Sequence, residues 1–579
     1  MKIKGLLISM LACTALVGCT SDDDVLNSNE SVANKEGEAY MTVKFTMPGN
    51  TNVSSRAFQD NKFAEGTEAE TKVNNAWFFF LNDAQQGCAD PFELDMTASK
   101  YIWTDVQGDN DDTSINNSTS SSIEEKSNPI VVIRNPISTP KYIACVLNWE
   151  NTFSEGYKPS LAELQAVVSN FSSSTSAGSF VMSSSVYIDG DKLIAGGIVG
   201  TGNIYKDKDK LLGDIADEKA TPVKIPVERV LAKVFMNNDI ADGTSVTDES
   251  NVLKDETGAA TNSKKYEITA TVTGWWLDYT NPSSYLVKNL NSTYSDFLNN
   301  WWNDKTNTRS YWAESAVPTA YTHYTWNEAT ATTGQSLYCQ ENTSSTTTKL
   351  AVKVILKNNG TATTLVRWAG ELYTQTDFFN LVAGAYQSYR ILKTKTEGTT
   401  TKSDYYPLTG DAAQGVTGIL GWEYNTSTNN LGIKDYEGLI TVSNVGEGYQ
   451  LVKVAVEGDE ITVTGQVSAD DVQKDIRKTI SAVPLWLEGR AYYYTDIIHN
   501  NNTAEDGKEV NSTLYGIVRN HLYSLKLNSI KGLGTPAPGT DTKIETEKLP
   551  DDEESYISAE VQIASFKVVP EQNVALGSN

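Results

Sequence analysis

Two residues near the N-terminus lie in sequence contexts that each favour a covalent reaction. Cys19 ends the tetrapeptide Leu-Val-Gly-Cys, which follows a short apolar run behind Lys2 and Lys4. Residues 1–18 are therefore predicted to be a signal peptide, and the thiol exposed by its removal is the predicted acceptor of diacylglycerol. Arg56 ends the polar stretch Pro-Gly-Asn-Thr-Asn-Val-Ser-Ser-Arg. Because proteolysis concentrates in exposed polar loops, we predict cleavage after Arg56.

The residues that usually perform hydrolysis are few and scattered. There are three histidines, no His-Glu-x-x-His and no Gly-x-Ser-x-Gly. The acidic stretch 109–122 lacks the glycine and glutamate of a calcium loop. We predict no enzyme, no metal and no cofactor, although no signal excludes a carboxylate pair among the 73 acidic residues. The cysteines beyond Cys19 match no disulfide or zinc spacing and are predicted to be unbridged: Cys88, Cys145 and Cys339.

Composition excludes two classes of partner. The 579 residues carry a formal net charge of −26, and 39% of them are hydrophobic. Nucleic-acid binding requires clustered Lys and Arg, and an anionic lipid surface attracts the same residues, so neither partner is expected. The apolar content is sufficient for packed domains. Membrane attachment is predicted only through the lipid on Cys19.

One apolar strand pattern lies between the lipid site and the cleavage site. Four apolar residues alternate with polar ones over residues 39–47, which predicts a half-buried strand. They are Met41, Val43, Phe45 and Met47. We interpret this segment as a removable strand within a lipidated propeptide, residues 19–56. The alternative is a permanent edge strand of the first domain.

The rest of the chain is predicted to be strand after strand, with helices at residues 160–168 and 468–480. The pattern of residues 222–236 indicates one long strand with Arg229 and Lys233 on its polar side. Residues 237–263 are predicted to be a linker, which separates an N-terminal domain, 57–240, from a C-terminal domain, 241–530.

The C-terminus repeats the arrangement of a strand on a flexible arm. Residues 531–555 are rich in Pro, Gly and acids and are predicted to be an unpacked linker. Beyond them, Ile557, Ala559, Val561 and Ile563 share one face of a strand. Phe566 and Val568 continue it on the opposite parity.

The whole chain resembles the type V fimbrillins of Bacteroidota, in the branch of short-fimbria major subunits. The resemblance rests on the Leu-Val-Gly-Cys signal, Val-Glu-Arg-Val-Leu-Ala-Lys-Val, Tyr-Cys-Gln-Glu-Asn-Thr, Gly-Arg-Ala-Tyr-Tyr-Tyr and Val-Arg-Asn-His-Leu-Tyr-Ser-Leu-Lys-Leu-Asn-Ser-Ile-Lys-Gly-Leu-Gly before the tail strand. It implies a mainly β fold of two transthyretin-like β-sandwich domains with few short helices. The acidic residues after Cys19 resemble a surface-export tag. The tail departs from relatives that often carry a Trp there.

The resemblance also implies a mechanism. An arginine-specific protease would cut the bond between Arg56 and Ala57, and a C-terminal donor strand, residues 556–569, would fill the vacated groove of another copy. The expected partners are other copies of the chain, accessory fimbrial subunits and surface receptors of hosts or bacteria. The precursor would be an outer-membrane lipoprotein and the product an adhesive cell-surface fimbria.

Two other functions remain open from sequence. Seven of the twelve Trp residues lie between Trp275 and Trp368, a density that could form a glycan-binding surface on a lipoprotein. An accessory tip or anchor subunit of the same fimbria is a closer variant. The complete tail strand argues against a tip, and the Arg56 site argues against a permanent anchor.

Overall fold

The computed structural model describes residues 37–48, 70, 72–96, 103–104, 122–125, 129–154, 156–171, 180–189, 192–254, 257, 259–289, 315–318, 320–328, 331–342, 348–497, 516–544, 556–565 and 568–572. The fold is mainly β, as predicted, and its strands form several sheets. None of the helices in these residues is long and apolar enough to cross a membrane. Cys19, Arg56, Ala57 and Phe566 lie outside the described residues.

The N-terminal part is one ten-stranded sheet with a small hairpin and a short strand beside it. Its strand order is β3-β2-β7-β9-β13-β1-β5-β4, with β12 beside β7 and β6 beside β1. The strands are β1 Ala39–Pro48, β2 Asn75–Leu81, β3 Phe92–Asp95, β4 Trp103–Thr104, β5 Ser122–Glu125, β6 Ile130–Ile133, β7 Tyr142–Leu147, β8 Val168–Ser169, β9 Met182–Ser184, β10 Val186–Asp189, β11 Lys192–Ala195, β12 Gly197–Ile198 and β13 Val223–Arg229.

The C-terminal part begins directly after β13. One sheet contains β14, β20 and three strands from the chain's end, and a second is built around β18 and β21. The two sheets enclose a core that includes Trp275 and Tyr523. The strands before residue 365 are β14 Ala232–Asn238, β15 Thr244–Ser245, β16 Val252–Lys254, β17 Ala260–Lys264, β18 Ile268–Asp278, β19 Ser284–Tyr285, β20 Ser336–Cys339, β21 Lys349–Asn358 and β22 Thr361–Ala362.

Residues 365–487 form a further packed unit within the predicted C-terminal domain, and its Leu365, Leu372 and Trp486 pack into the core around Trp275. A five-stranded and a four-stranded sheet enclose their own core around Phe378 and Ile440. The strands are β23 Leu365–Trp368, β24 Glu371–Thr374, β25 Tyr389–Glu397, β26 Thr400–Tyr406, β27 Gly410–Asp411, β28 Val416–Thr417, β29 Leu420–Tyr424, β30 Glu437–Val442, β31 Tyr449–Glu457, β32 Glu460–Gln466 and β33 Val483–Trp486.

The chain then returns to the two C-terminal sheets. β34 Arg490–Asp496 and β36 Thr535–Pro536 complete the sheet of β18 and β21. The other sheet has the order β20-β14-β35-β37-β38. Its last three strands are β35 His521–Lys531, β37 Tyr556–Ser565 and β38 Val568–Gln572.

Four α-helices lie in the described residues, and their caps follow from the sequence. The helix predicted at residues 160–168 begins with a capping box of Ser160 and Glu163, but it ends early and Val168 belongs to β8. The predicted helix behind Ser468 is confirmed. The helices are α1 Leu161–Gln165, α2 Lys208–Ala216, α3 Gln375–Ala385 and α4 Ala469–Thr479, with 3-10 turns at Thr201–Asn203, Glu249–Asn251, Ala412–Gln414 and Leu487–Gly489.

The predicted single strand over residues 222–236 is wrong. It is two strands in two different sheets, β13 and β14, and the residues between them are buried. Arg229 and Lys233 do not face solvent. Arg229 Nε donates to the Glu70 carbonyl at 2.9 Å, and Lys233 Nζ lies 3.2 Å from the Glu70 carboxylate. The polar side chains of the predicted strand therefore point into the protein, where Lys233 and Glu70 form a buried ion pair.

Both predicted linkers contain packed segments. Residues 237–263 include β15, which pairs with β18, and the hairpin of β16 and β17. Their Gly, Asn and acidic residues provide the turns between short strands. Residues 531–544 pack because Gly532 and Gly534, both at positive φ, turn the chain so that β36 pairs with β34. Trp486 Nε1 donates to the Gly534 carbonyl at 3.1 Å.

Candidate functional site

The predicted removable strand lies in the interior of the first sheet. β1 runs parallel to β13 and antiparallel to β6 and β5, which pair with its first and second halves on the opposite side. In this register Val43 lies beside Val223, and Thr42 lies opposite Ile130. β1 is therefore not an edge strand, and this part of the alternative interpretation is wrong. Its removal stays a prediction. We call the space that β1 occupies between β13 and the pair β5 and β6 the β1 slot.

Alternation along β1 sets which side chains fill the core. Met41, Val43 and Phe45 are completely buried in the N-terminal core, as the period-two pattern predicts. Phe45 stacks on Phe78 of β2. The other face is also covered, because α2 lies against it and Thr42 is only 2% exposed. The prediction that this strand is half-buried is therefore wrong. The Thr42 hydroxyl has no hydrogen-bond partner within the described residues.

Polar contacts secure the beginning of the strand. The backbone N–H of Tyr40 donates to the Tyr205 carbonyl at 2.7 Å, and the reciprocal bond measures 2.8 Å. The Tyr40 hydroxyl donates to Glu38 at 3.0 Å. Glu38 also pairs with Arg134 at 3.3 Å, and the Arg134 guanidinium lies 5.5 Å from the centre of the Phe92 ring.

A second ion pair lies next to this end of the slot. Lys158 bonds to one carboxylate oxygen of Asp90, and Asn135 Nδ2 donates to the other at 2.6 Å. The Asp90 backbone N–H donates to the Arg134 carbonyl at 3.0 Å. Burial raises the pKa of Asp90, but the bonds from Lys158 and Asn135 and the charges of Lys158 and Arg134 outweigh it. The pKa therefore lies below its ordinary value.

The predicted donor residues lie in another sheet. Ile557, Ala559, Val561 and Ile563 fall in β37, which pairs antiparallel with β35 of its own chain. The sequence pattern predicted that this strand continues through Val568 on the opposite parity, and the structure contradicts that prediction. Val568 lies in β38, which pairs back antiparallel on β37. The structure thus does not bring the two predicted segments together within one chain.

Other site predictions have different outcomes. Met47 lies in β1 opposite Ile123. Arg134 and Tyr205, which secure the strand, were not predicted. The run Ile-Val-Val-Ile before Arg134 is typical of a strand, but nothing in the sequence pairs it with β1. Groups of metal-ligating side chains do not occur in the described part of the chain.

The class defined by this fold is a mainly β, multi-sheet protein with a buried N-terminal strand and a strand hairpin at its C-terminus. Residues 485–571 match the family model described as "Major fimbrial subunit protein type IV, Fimbrillin, C-terminal". This segment spans β34, β35, β36, β37 and most of β38. The fimbrillin resemblance is therefore confirmed in the C-terminal segment.

Solved structures with remote likeness include a protein of Parabacteroides distasonis ATCC 8503 described as a cell adhesion protein. It has 9% sequence identity and a TM-score of 0.31, and the match covers 91% of this chain and 99% of that one. The tip fimbrial protein Mfa3 from Porphyromonas gingivalis has 10% identity and a TM-score of 0.26, covering 90% and 99%. A comparison with curated protein sequences finds no match.

Proposed function

We propose that this chain is a structural, major-type subunit of a cell-surface fimbria. The observation that carries the proposal is the position of β1. It is buried between partner strands on both sides, yet in sequence it lies between Cys19 and Arg56. A strand that completes a core and is bracketed by a lipid site and a protease site is suited to be removed. The match over residues 485–571 supports the same class.

Removal of β1 would leave a groove that strongly favours the binding of another strand. The unpaired edges of β13, β6 and β5 would each offer backbone donors and acceptors to a new strand. The three completely buried side chains of β1 contribute roughly 1.5–3 kcal/mol each to its retention. A replacement strand with apolar residues at alternate positions recovers much of this free energy.

The C-terminal strand of a second copy is the proposed replacement. β37 lies next to β38 at the edge of its sheet, so its departure leaves β35 still paired with β14. Because donor and slot lie at opposite ends of one chain, the contact is head-to-tail. A head-to-tail contact that does not close produces a filament.

The remaining parts of the proposal follow from the order of these sites. The precursor is a lipoprotein held in the outer membrane through Cys19, and β1 blocks assembly while the precursor is uncut. An arginine-specific protease cuts at Arg56, and this cut releases the anchor and the blocking strand together. The assembled fimbria supports adhesion to host or bacterial receptors, together with accessory subunits. The chain has no proposed catalytic role.

Within the described residues, three of the seven Trp residues of the Trp-rich region are buried in cores. Trp275, Trp276 and Trp326 are all buried, with at most 6% of their surface exposed. Trp368 packs partly buried against the core of residues 365–487. A glycan-binding platform requires exposed ring faces, which Trp275, Trp276 and Trp326 lack. Trp301, Trp302 and Trp312 lie outside the described residues.

The decisive experiment is N-terminal sequencing of protein shed from cells, combined with the variant Arg56→Ala. We expect a mature N-terminus at Ala57 in the wild type. Arg56→Ala should remain lipidated and unassembled, whereas the matched control Lys62→Ala should assemble normally. SDS-resistant ladders from Arg56→Ala, or fibres that retain the lipid, would contradict the proposal.

A further inference from the structure

The strand at each end of the chain carries nearly the same pattern. Residues 40–47 read Tyr-Met-Thr-Val-Lys-Phe-Thr-Met, and residues 556–563 read Tyr-Ile-Ser-Ala-Glu-Val-Gln-Ile. Both begin with Tyr, continue with alternating apolar residues and carry a hydroxyl residue at the third position. A glutamate lies two residues before each Tyr. The two strands nevertheless occupy different sheets.

We propose that the C-terminal strand of a second copy enters the β1 slot in the register and direction of β1, parallel to β13. This inference rests on the proposed strand exchange and adds the residues that determine its fit. Counted in order from Tyr556, the incoming residues replace those of β1 one for one, beginning at Tyr40. The alternating apolar residues then correspond in order: Ile557 with Met41, Ala559 with Val43, Val561 with Phe45 and Ile563 with Met47.

The buried position of Thr42 excludes neighbouring registers. A shift by one residue would turn the apolar face outward. A shift by two residues would place either Glu560 or Tyr556 where Thr42 is, on a position with only 2% exposure. A buried unpaired carboxylate or a phenol ring in place of a threonine is costly. The unshifted register places Ser558 there and keeps a small hydroxyl side chain.

Charge favours the same register. Lys44 of β1 lies directly beside Lys224 of β13, and like charges at directly opposed strand positions are unfavourable. In the proposed register Glu560 takes the position of Lys44. The incoming strand therefore replaces a pair of like charges with a pair of opposite charges. In its own chain, too, β37 places Glu560 opposite a lysine, Lys526.

A disulfide measures the register directly. Thr42 lies opposite Ile130, so the proposal predicts that Ser558 of one copy lies opposite Ile130 of the next. Opposed strand positions have the separation that a disulfide requires. We expect the cleaved double variant Ser558→Cys with Ile130→Cys to form covalent ladders under oxidising, non-reducing conditions. The control, Ser558→Cys with Val132→Cys, should yield at least about 10-fold fewer covalent dimers, because its two sulfur atoms would be too far apart.

The outcomes separate this inference from the proposed function. Ladders through position 132, or fibres that form without a link at position 130, overturn the register but leave strand exchange intact. Cleaved wild-type protein that forms no SDS-resistant ladder contradicts strand exchange itself.

A charge swap provides a second test that requires no new cysteine. Lys224→Glu should weaken assembly of cleaved subunits by about 3- to 10-fold, and Glu560→Lys in the same chain should restore it. The uncut Lys224→Glu precursor should fold normally, because the introduced carboxylate would then lie beside Lys44. Equal assembly by the wild type and Lys224→Glu, or a failure of Glu560→Lys to restore it, contradicts the proposed register.

Discussion

Phe45 of β1 stacks on Phe78 of β2, with ring centroids 5.9 Å apart and 11° between the ring planes. This contact joins the predicted removable strand to the centre of the N-terminal core, and both rings are completely buried. The stability of the uncut precursor therefore depends on a residue that the proposed cleavage removes.

The ring of Phe45 should contribute strongly to the stability of the uncut precursor. Phe45→Ala in the uncut precursor should lower the free energy of unfolding by about 3–5 kcal/mol, because the substitution leaves a cavity in a packed core. Urea unfolding followed by circular dichroism measures the change. The control Lys206→Ala replaces an exposed side chain of the N-terminal part and should change stability by less than about 0.5 kcal/mol. A loss below about 1 kcal/mol for Phe45→Ala would show that β1 contributes little to the core.

The incoming strand fills the same place less completely. In the proposed register Val561 takes the position of Phe45, so the ring facing Phe78 is lost. Val561→Phe should restore a ring pair and slow the dissociation of assembled subunits by about 10-fold. Dissociation is measured as the loss of SDS-resistant ladders on heating. Val569→Phe, the same change outside residues 556–563, should have no such effect, and equal effects of both variants would contradict the assignment.

Deletion of residues 556–579 separates folding from assembly. β37 and β38 are the last two strands of their sheet, and β35 remains paired with β14 without them. We expect the truncated subunit to fold, to be cut at Arg56 and to accept a strand from intact copies. It should donate none. Mixtures of truncated and intact subunits should therefore give shorter ladders as the truncated fraction rises, whereas normal ladders from truncated protein alone would disprove donation by β37.

Local patterns in the sequence were sufficient for the existence of β1, for the start of α1 and for the whole of α4. Each has an alternation or a capping residue that acts within a few positions, as with Ser468 and the apolar residues Val472 and Ile476. The burial of Arg229 and Lys233 could not be predicted in this way. Their partner Glu70 lies about 160 residues away, and no local pattern encodes a contact between such distant residues.

The same limit applies to the linkers and to the site. Residues 531–544 are polar and turn-rich, yet they pack because β34 provides a strand edge, and Tyr493 and Trp486 provide hydrogen-bond donors. Composition predicts the turns but not the strand edge against which they pack. Likewise the alternation in β1 predicted which side chains fill the N-terminal core. It did not predict that the other face is covered or that partner strands lie on both sides.

The ionised carboxylate of Asp90 should make the free energy of unfolding depend on pH. Its folded-state pKa lies below the ordinary value of 3.8, so its contribution is complete above that value and is lost as the pH falls through the folded pKa. Asp90→Asn should cost about 1–3 kcal/mol at pH 6, because an amide has only one acceptor oxygen and cannot accept from both Lys158 and Asn135 as the carboxylate does. Urea unfolding at pH 6 and pH 3 should show the difference between wild type and variant shrinking at the lower pH. A difference that stays constant with pH would contradict this role.

Arg519 and Glu341 form a buried ion pair. Both side chains are completely inaccessible, and Arg519 Nε donates to a Glu341 oxygen at 2.9 Å. Arg519 also bonds to Ser284 at 3.1 Å and to the Leu286 carbonyl at 3.2 Å. Burial lowers the pKa of Arg519, but the charge of Glu341 outweighs this effect and keeps the guanidinium protonated. The pair thus holds the segment after β19 where Leu286 packs into the core behind β2 and β7.

Removal of one partner of this pair should be much more damaging than removal of both. Glu341→Gln leaves a buried cation without its counter-charge, and we expect a loss of about 3–5 kcal/mol in the free energy of unfolding. The double variant Glu341→Leu with Arg519→Met removes both charges and should recover most of that loss, because apolar groups of similar volume need no counter-charge. Urea unfolding of the two variants and the wild type measures both changes. If the double variant is as unstable as Glu341→Gln, the hydrogen bonds of Arg519 to Ser284 and Leu286 hold this segment, and the charge pair does not.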